Sequence, residues 1–172
     1  EARIGGDTRI VGSSSNKTDV NVTTHSVTGA NAVAASIAAS GGISAAAGVA
    51  VATNSLTQNT SVDRGVTMNT RGGSLNVKGT SNTTADTYLL GASVGAVAIG
   101  LNAASSSVKP TMNTTVGVDG KGTASLGELK RLTVLNDAVS SASSNVISLS
   151  GGAKSVQGSL LLVFNETDAT RS

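Results

Sequence analysis

Internal repetition constrains the fold of this chain more than any other feature of its sequence. Residues 5–14 align without gaps on residues 72–81, an offset of 67. A second block at residues 48–54 aligns with residues 96–102 at an offset of 48, and a fainter third copy ends at residues 160–165. The two offsets differ by about 19 residues, close to one coil of a three-sided β-helix. Solenoids tolerate such insertions because each coil contacts only its neighbours.

Short β-rich runs next to Gly, Asn or Asp support a solenoid built from strands. They are Thr8–Val11, Val20–Thr24, Leu75–Val77 and Leu132–Leu135. We therefore predict an all-β fold, a right-handed parallel β-helix (β-solenoid) of irregular coils with about 19 residues per coil. Residues 1–172 are expected to be one solenoid segment of a longer repetitive protein, with repeat-like blocks at about 5–54, 72–102 and 129–165.

Large and small apolar residues alternate within the second block. Around residues 48–52 and 94–101, Val, Ile and Leu alternate with Ala and Gly, which places the two sets on opposite faces of a strand. We expect the large set to fill the interior and the small set to form a flat exterior. The blocks end on Asn54, Asn102 and Asn165, which we predict at corners because Asn tolerates left-handed backbone geometry. Stacked Asn side chains would form amide ladders.

Composition leaves two rival structures to consider. The chain has one Tyr, one Phe, no Trp and no Cys, with 38% hydrophobic and 13% charged residues, so Val, Ile, Leu and Ala must build any core. Ala30–Ala39 and Ala45–Ala52 are rich in the best helix former, but nearby glycines and β-branched residues argue against helices. Leu89–Ala104 is small and apolar, yet shorter than the roughly 20 residues of a spanning helix, so we predict no direct membrane insertion.

Neither charge nor residue type predicts a catalytic or cofactor site. The net charge is only +2 and the basic residues are dispersed, which argues against nucleic acid. His25 is the only histidine and there is no cysteine, so we predict no metal site and expect His25 to be exposed or at a corner. Glu166 and Asp168 are the nearest approach to a carboxylate pair and are expected to be solvated. Tyr88 and Phe164 are expected to add interior bulk. No catalytic, metal-binding or cofactor-binding residue is predicted, and no cofactor.

The repeat style resembles that of a known protein family. The Gly-Gly-Ser-Leu-Asn-Val run at 72–77, the Ser/Thr/Asn-rich linkers and the block at 48–54 are similar to repeats of the large filamentous adhesins of Gram-negative bacteria. The likeness is greatest to the leukotoxin-type adhesins, exported by two-partner secretion or as autotransporters. The resemblance implies a non-enzymatic shaft, secreted or on the outer membrane surface. Its expected partner is a surface protein or glycan of host or neighbouring cells.

Three alternatives remain open at this point. Residues 96–103 are similar to the head repeat of trimeric autotransporter adhesins, a left-handed coil of about fourteen residues. Parallel β-helices also include carbohydrate-active enzymes, and the Thr-rich stretches suggest an ice-binding solenoid. The partner-binding residues are unknown; the stretches that interrupt the repeat, Ser107–Gly127 and His25–Ser40, are the local candidates.

Overall fold

The computed structural model describes residues 1–13 and 15–172, and these residues form eleven β-strands and no helix. Five of the strands are long, with 20 or 21 residues each. The strands are β1 (Ala2–Ile4), β2 (Arg9–Val11), β3 (Val20–Ala39), β4 (Ile43–Val62), β5 (Thr67–Asn69), β6 (Ser74–Val94), β7 (Val97–Val116), β8 (Ser125–Gly127), β9 (Arg131–Gly151), β10 (Lys154–Asn165) and β11 (Asp168–Arg171).

All pairings between strands are parallel, and they form three sheets. Sheet A contains β1, β4, β7, β10 and β11, with β10 and β11 both pairing with β7. Sheet B contains the short strands β2, β5 and β8, and sheet C contains β3, β6 and β9. Each coil runs through sheets B, C and A in that order, and the next coil stacks upon it in register. The structure therefore confirms the predicted all-β fold, a parallel β-helix.

The pairing register shows how many strands make up a coil. Arg9 pairs with Thr67, an offset of 58, and Ile43 pairs with Val97, an offset of 54. The predicted spacing of about 19 residues is present as the length of one long strand with its turn. A complete coil is roughly three times that length, because two of its sides are long strands of about 65 Å each.

In cross-section, perpendicular to the solenoid axis, each coil is wide at one end and narrow at the other. At the wide end, the short strands of sheet B separate sheets A and C, and large apolar side chains fill the space between them. The buried members of this core are Val22, Val62, Val66, Met68, Leu75 and Val77. The third side of the coil thus creates the only broad hydrophobic core among the described residues.

At the narrow end, sheets A and C lie face to face without a third side. The turns that join them, at 40–42, 95–96 and 152–153, contain only two or three residues. These turns also stack, since Ser40 N–H donates to Val94 C=O at 3.0 Å and Gly95 N–H to Gly151 C=O at 3.0 Å. We call the paired sheets between these turns and the wide core the blade.

The blade reverses the expected orientation of its side chains. Inward positions carry small residues such as Ala46, Ala50 and Ala98, whereas Val49, Ile99 and other large residues point outward. The prediction that the large set fills the interior is therefore wrong for the blade. Because two- and three-residue turns hold the sheets close together, large inward side chains would force them apart.

Two of the three predicted asparagine corners are absent. Asn54 and Asn102 lie within β4 and β7 with their side chains buried between the sheets, whereas Asn165 does end its strand, β10. Glycine and aspartate tolerate left-handed backbone geometry. The corner between sheets A and B is turned by such residues, which occupy neighbouring positions of successive coils and have φ angles of 62°, 79° and 88°: Asp7, Gly65 and Gly122.

The repeated blocks do lie in equivalent strands, but in a different register. Residues 48–54, 97–102 and 160–165 belong to β4, β7 and β10 of sheet A, and Ala96 lies in the turn just before β7. Gly48 pairs with Asn102, whereas the sequence alignment matched it with Ala96. The Ala-rich segments and Leu89–Ala104 are strands with turns, which excludes the helical readings of these segments.

Candidate functional surfaces

The outer faces of the blade are apolar, and they are the most unusual surfaces of the molecule. On sheet C, Val33 and Ile37 are exposed, the latter by 75%, and Leu149 lies next to Ile37 across β6. On sheet A, the exposed side chains come from all three coils: Ile43, Val49, Val51, Ile99, Leu101, Val156, Leu160, Leu162 and Phe164. Contiguous apolar patches of this kind mark interaction sites on soluble proteins.

A charge pattern in the sequence accompanies these faces. Residues 26–62 and 87–108 contain no Asp, Glu, Lys, Arg or His. Together they supply most of the first two coils of the blade. These charge-free runs are the sequence signal of the apolar outer faces, and sequence reasoning missed it.

We call the sheet A part of this surface the A face: the outward side chains of 43–53, 97–107 and 154–164. A shallow groove of about 430 Å³ crosses it, lined by Ala47, Ala103 and Gly158 and flanked by Leu101 and Leu160. Lys154 is its only charged residue, at the narrow end. Beyond its wide end, Lys109 forms an ion pair with Glu166 at 3.1 Å.

Polar side chains hold the two sheets of the blade together from inside. Asn102 of sheet A inserts opposite Gly91 of sheet C, and its Nδ2 donates to Ser148 Oγ at 2.6 Å. Its Oδ1 accepts a hydrogen bond from Ser36 Oγ at 3.4 Å. Ser36, Gly91 and Ser148 are neighbours across three coils, so one amide ties all three strands of sheet C to sheet A.

Amide ladders form, but on the outer faces of the wide end. Asn76 Nδ2 donates to Asn21 Oδ1 at 2.9 Å, and Asn113 Nδ2 donates to Asn59 Oδ1 at 3.0 Å. Each ladder joins two successive coils. Ladders of this kind add side-chain hydrogen bonds parallel to the backbone ladder.

A buried carboxylate is paired at the wide end. Asp63 is fully buried and accepts hydrogen bonds from Arg3 Nε at 2.6 Å and from Ser61 Oγ at 3.2 Å. The hydrogen bond from Arg3 and the negative charge of Asp63 raise the pKa of Arg3 above its ordinary value. The pair joins β1 to the corner after β4 and is readily explained as structural, because a buried carboxylate requires a partner.

His25 lies on the outer face of β3, in a row with Thr80 and Asp137 of the next two coils. Its Nδ1 is 3.0 Å from Thr80 Oγ1. The expected exposure of His25 is confirmed. Asp137 is two strands away from the imidazole, so this row does not form a catalytic triad, in which the carboxylate contacts the histidine.

The other residues singled out from the sequence are also placed by the structure. Glu166 and Asp168 are exposed, as expected, and Glu166 lies in the link between β10 and β11. Tyr88 and Phe164 are 42% and 55% exposed, so the expectation that they fill the interior is wrong. Both lie on the outer faces of the blade, because the interior has no room for an aromatic ring.

The two stretches proposed as irregular are mostly regular. His25–Ser40 lies almost entirely within β3, and Ser107–Val116 completes β7. Within these two stretches, the main irregular segment is the loop between β7 and β8, with positive φ angles at Gly117, Gly120 and Gly122. Among the described residues, no group of three or more His, Cys, Asp or Glu is arranged to hold a metal ion.

Among the residues that the structure describes, threonine forms no extended rank on the outer faces: Thr57 pairs with Thr111, but the next residue of the row is Asp168. The described part of the chain contains no helix with the length and hydropathy needed to cross a membrane. No family model matches the chain, and neither curated proteins nor solved structures show significant similarity to it.

Proposed function

We propose that this chain is a non-enzymatic structural and adhesive segment of a bacterial surface or secreted filamentous protein. The observation that carries the proposal is the in-register stack of coils, in which β4 and β7 pair along their full lengths. A stack of this kind is extended by adding coils, which is how a solenoid builds a long scaffold with repeated surfaces.

The broad coil suits attachment better than it suits length. Each coil uses about 54–58 residues but adds only about 4.8 Å along the axis, the spacing between paired strands. Most residues of each coil therefore add width and not length. They form the blade, which offers two wide faces for contact. We propose a protein or glycan on host or neighbouring cells as the partner, and a location outside the cell at a Gram-negative outer membrane.

A binding screen tests this proposal. The chain is labelled and applied to glycan and matrix-protein arrays and to cultured epithelial cells, in parallel with a polysaccharide degradation screen. We expect saturable binding and no product release. A Leu89→Asp variant is the control, because a charge at this fully buried position of the blade destroys the folded surface and should abolish binding.

Two results would count against the proposal. Release of oligosaccharides by the folded chain would assign it to the carbohydrate-active enzymes. Equal binding by the folded chain and by the Leu89→Asp variant would show that attachment reflects a sticky polar chain and not a folded surface.

A further inference from the structure

The A face has a pattern of large and small side chains that is complementary to itself. Successive outward rows run across β4, β7 and β10 in register. In one row the order is Ala47, Leu101, Gly158, small–large–small. In the next row it is reversed.

That next row reads Val49, Ala103, Leu160, large–small–large. Consider a twofold axis that lies in the plane of the face, perpendicular to the strands and midway between these two rows. Rotation about this axis would exchange the two rows. A second copy rotated by 180° about this axis would place its Ala103 over Leu101.

The same rotation matches the remaining positions of the two central rows. Val49 of each copy meets Ala47 of the other, and Leu160 meets Gly158. Each contact occurs twice, as required in an interface with twofold symmetry. The groove along Ala47, Ala103 and Gly158 is therefore the receptor for the ridges of the other copy.

The outer rows follow the same rule at most positions. Ala45 would meet Val51 and Ile99 would meet Ser105, again small against large; only Val156 and Leu162 are both large. In the last pair of rows, Lys154 meets Phe164, where an ammonium group over an aromatic ring is favourable. The one charge of the face thus has a partner in the second copy.

From this pattern we infer that the A face is the contact surface of a twofold-symmetric dimer of this chain, with the two blades packed sheet against sheet. The A face is eleven residues long and three strands wide, which gives a footprint of roughly 500 Å² per copy. Two copies then bury about 1,000 Å², the area that a specific interface should reach. The apolar centre and the Lys109–Glu166 ion pair at the edge match the usual core and rim of an interface.

Lipid explains the A face less well than a second copy does. A lipid surface gives no reason for the alternation of large and small residues in these rows, whereas packing against a second copy requires it.

The test uses variants that separate specific packing from general stickiness. Ala103→Leu adds exposed apolar area but fills the groove, so we expect the dimer dissociation constant, measured by sedimentation and light scattering, to rise at least tenfold. In the double variant Leu101→Ala with Ala103→Leu, the large and small residues swap positions. The twofold axis places residue 101 of one copy over residue 103 of the other, so a large side chain again meets a small one and we expect dimerisation to return. Ala35→Leu, on the outer face of sheet C, is the matched control and should leave the dimer unchanged.

Several outcomes would overturn the inference. These are a wild-type chain that stays monomeric up to on the order of 100 µM, an Ala103→Leu variant that dimerises as well as or better than wild type, and a double variant that stays monomeric. Flotation of monomeric wild type with neutral phosphatidylcholine vesicles would assign the face to lipid instead.

Urea unfolding of each variant verifies the fold, and Leu101→Lys, at a position 57% exposed, replaces any variant that fails to fold. Its expected effect is loss of the dimer, and retention of the dimer would contradict the inference.

Discussion

Gly91 shows how single residues set the thickness of the blade. A Cβ atom at this position would lie 2.2 Å from Nδ2 of Asn102 and 2.5 Å from its Oδ1. Asn102 fills the space that the missing side chain leaves and bonds to Ser148 beyond it. The close approach of the two sheets thus depends on a glycine and an amide on opposite sheets.

We predict that Gly91→Ala lowers the free energy of unfolding by about 1–3 kcal/mol, the usual range for overpacking a core. Asn102→Ala removes the clashing amide, so the double variant should lose less than the sum of the two single variants. A double-mutant cycle in urea measures this coupling, which we expect to be at least about 1 kcal/mol. Gly41→Ala, where no atom lies within 4 Å of the added methyl, is the control and should be nearly neutral. Additive effects at Gly91 and Asn102 would contradict the proposed contact.

At the level of strands, burial in the blade follows side-chain size inversely. Leu89 is one of the exceptions: it lies at an inward position of β6 and is fully buried against Ala50 and Ala104. Val108 of β7 and Val146 of β9 are also directed inward. Leu89 fits because Gly48 lies opposite, where an added Cβ would be 2.9 Å from Leu89 Cδ1. Leu89 therefore occupies a hole that Gly48 leaves on the facing sheet.

We expect Leu89→Ala to lower the free energy of unfolding by about 2–5 kcal/mol, as for other cavity-forming substitutions in cores. Leu149→Ala is the matched control: the same chemical change on the outer face of β9, where the side chain is 61% exposed, should alter stability by less than about 1 kcal/mol. Urea titrations followed by circular dichroism measure both. Equal losses would contradict the assignment of Leu89 to the inward face and Leu149 to the outer face.

The whole molecule is a stack of broad coils, and its stability should grow with the number of coils. Neighbouring coils share complete ladders, as β6 does with β3 on one side and β9 on the other. In such one-dimensional folds each added repeat contributes its own stability and one more interface.

The pairing register makes a direct prediction at this scale. Inserting a second copy of residues 67–124 after Ala124 adds one complete coil by the β5–β8 register, and should raise the Tm of a single cooperative transition. Inserting a second copy of residues 106–124 at the same point adds only about a third of a coil, which cannot pair on all three sides and should not raise the Tm. If the shorter insertion stabilised the chain and the longer one did not, the coil assignment would be wrong.

Sequence reasoning reached the fold but not the outer faces of the blade. The β-rich runs at 8–11, 20–24, 75–77 and 132–135 fall largely in strands of the stacked sheets. The exposure of Val49 and Leu101 was missed, because alternation alone separates two faces without saying which one meets another sheet. The pairing partners were missed because the local match of residues 5–14 to 72–81 does not follow the register of the stacked coils.

By itself, the amino-acid sequence determined that the chain forms strands, that they stack as repeats, and which side chains share a face. These properties follow from local propensity and from the two-residue period of an extended chain. The tertiary structure alone decided which face is buried. Sheet B separates the sheets at the wide end, so Met68 and Leu75 fit inside; the short turns bring the sheets together at the narrow end, so small residues such as Ala50 line most of the interior there. This spacing depends on three sheets closing upon one another, which no local pattern contains.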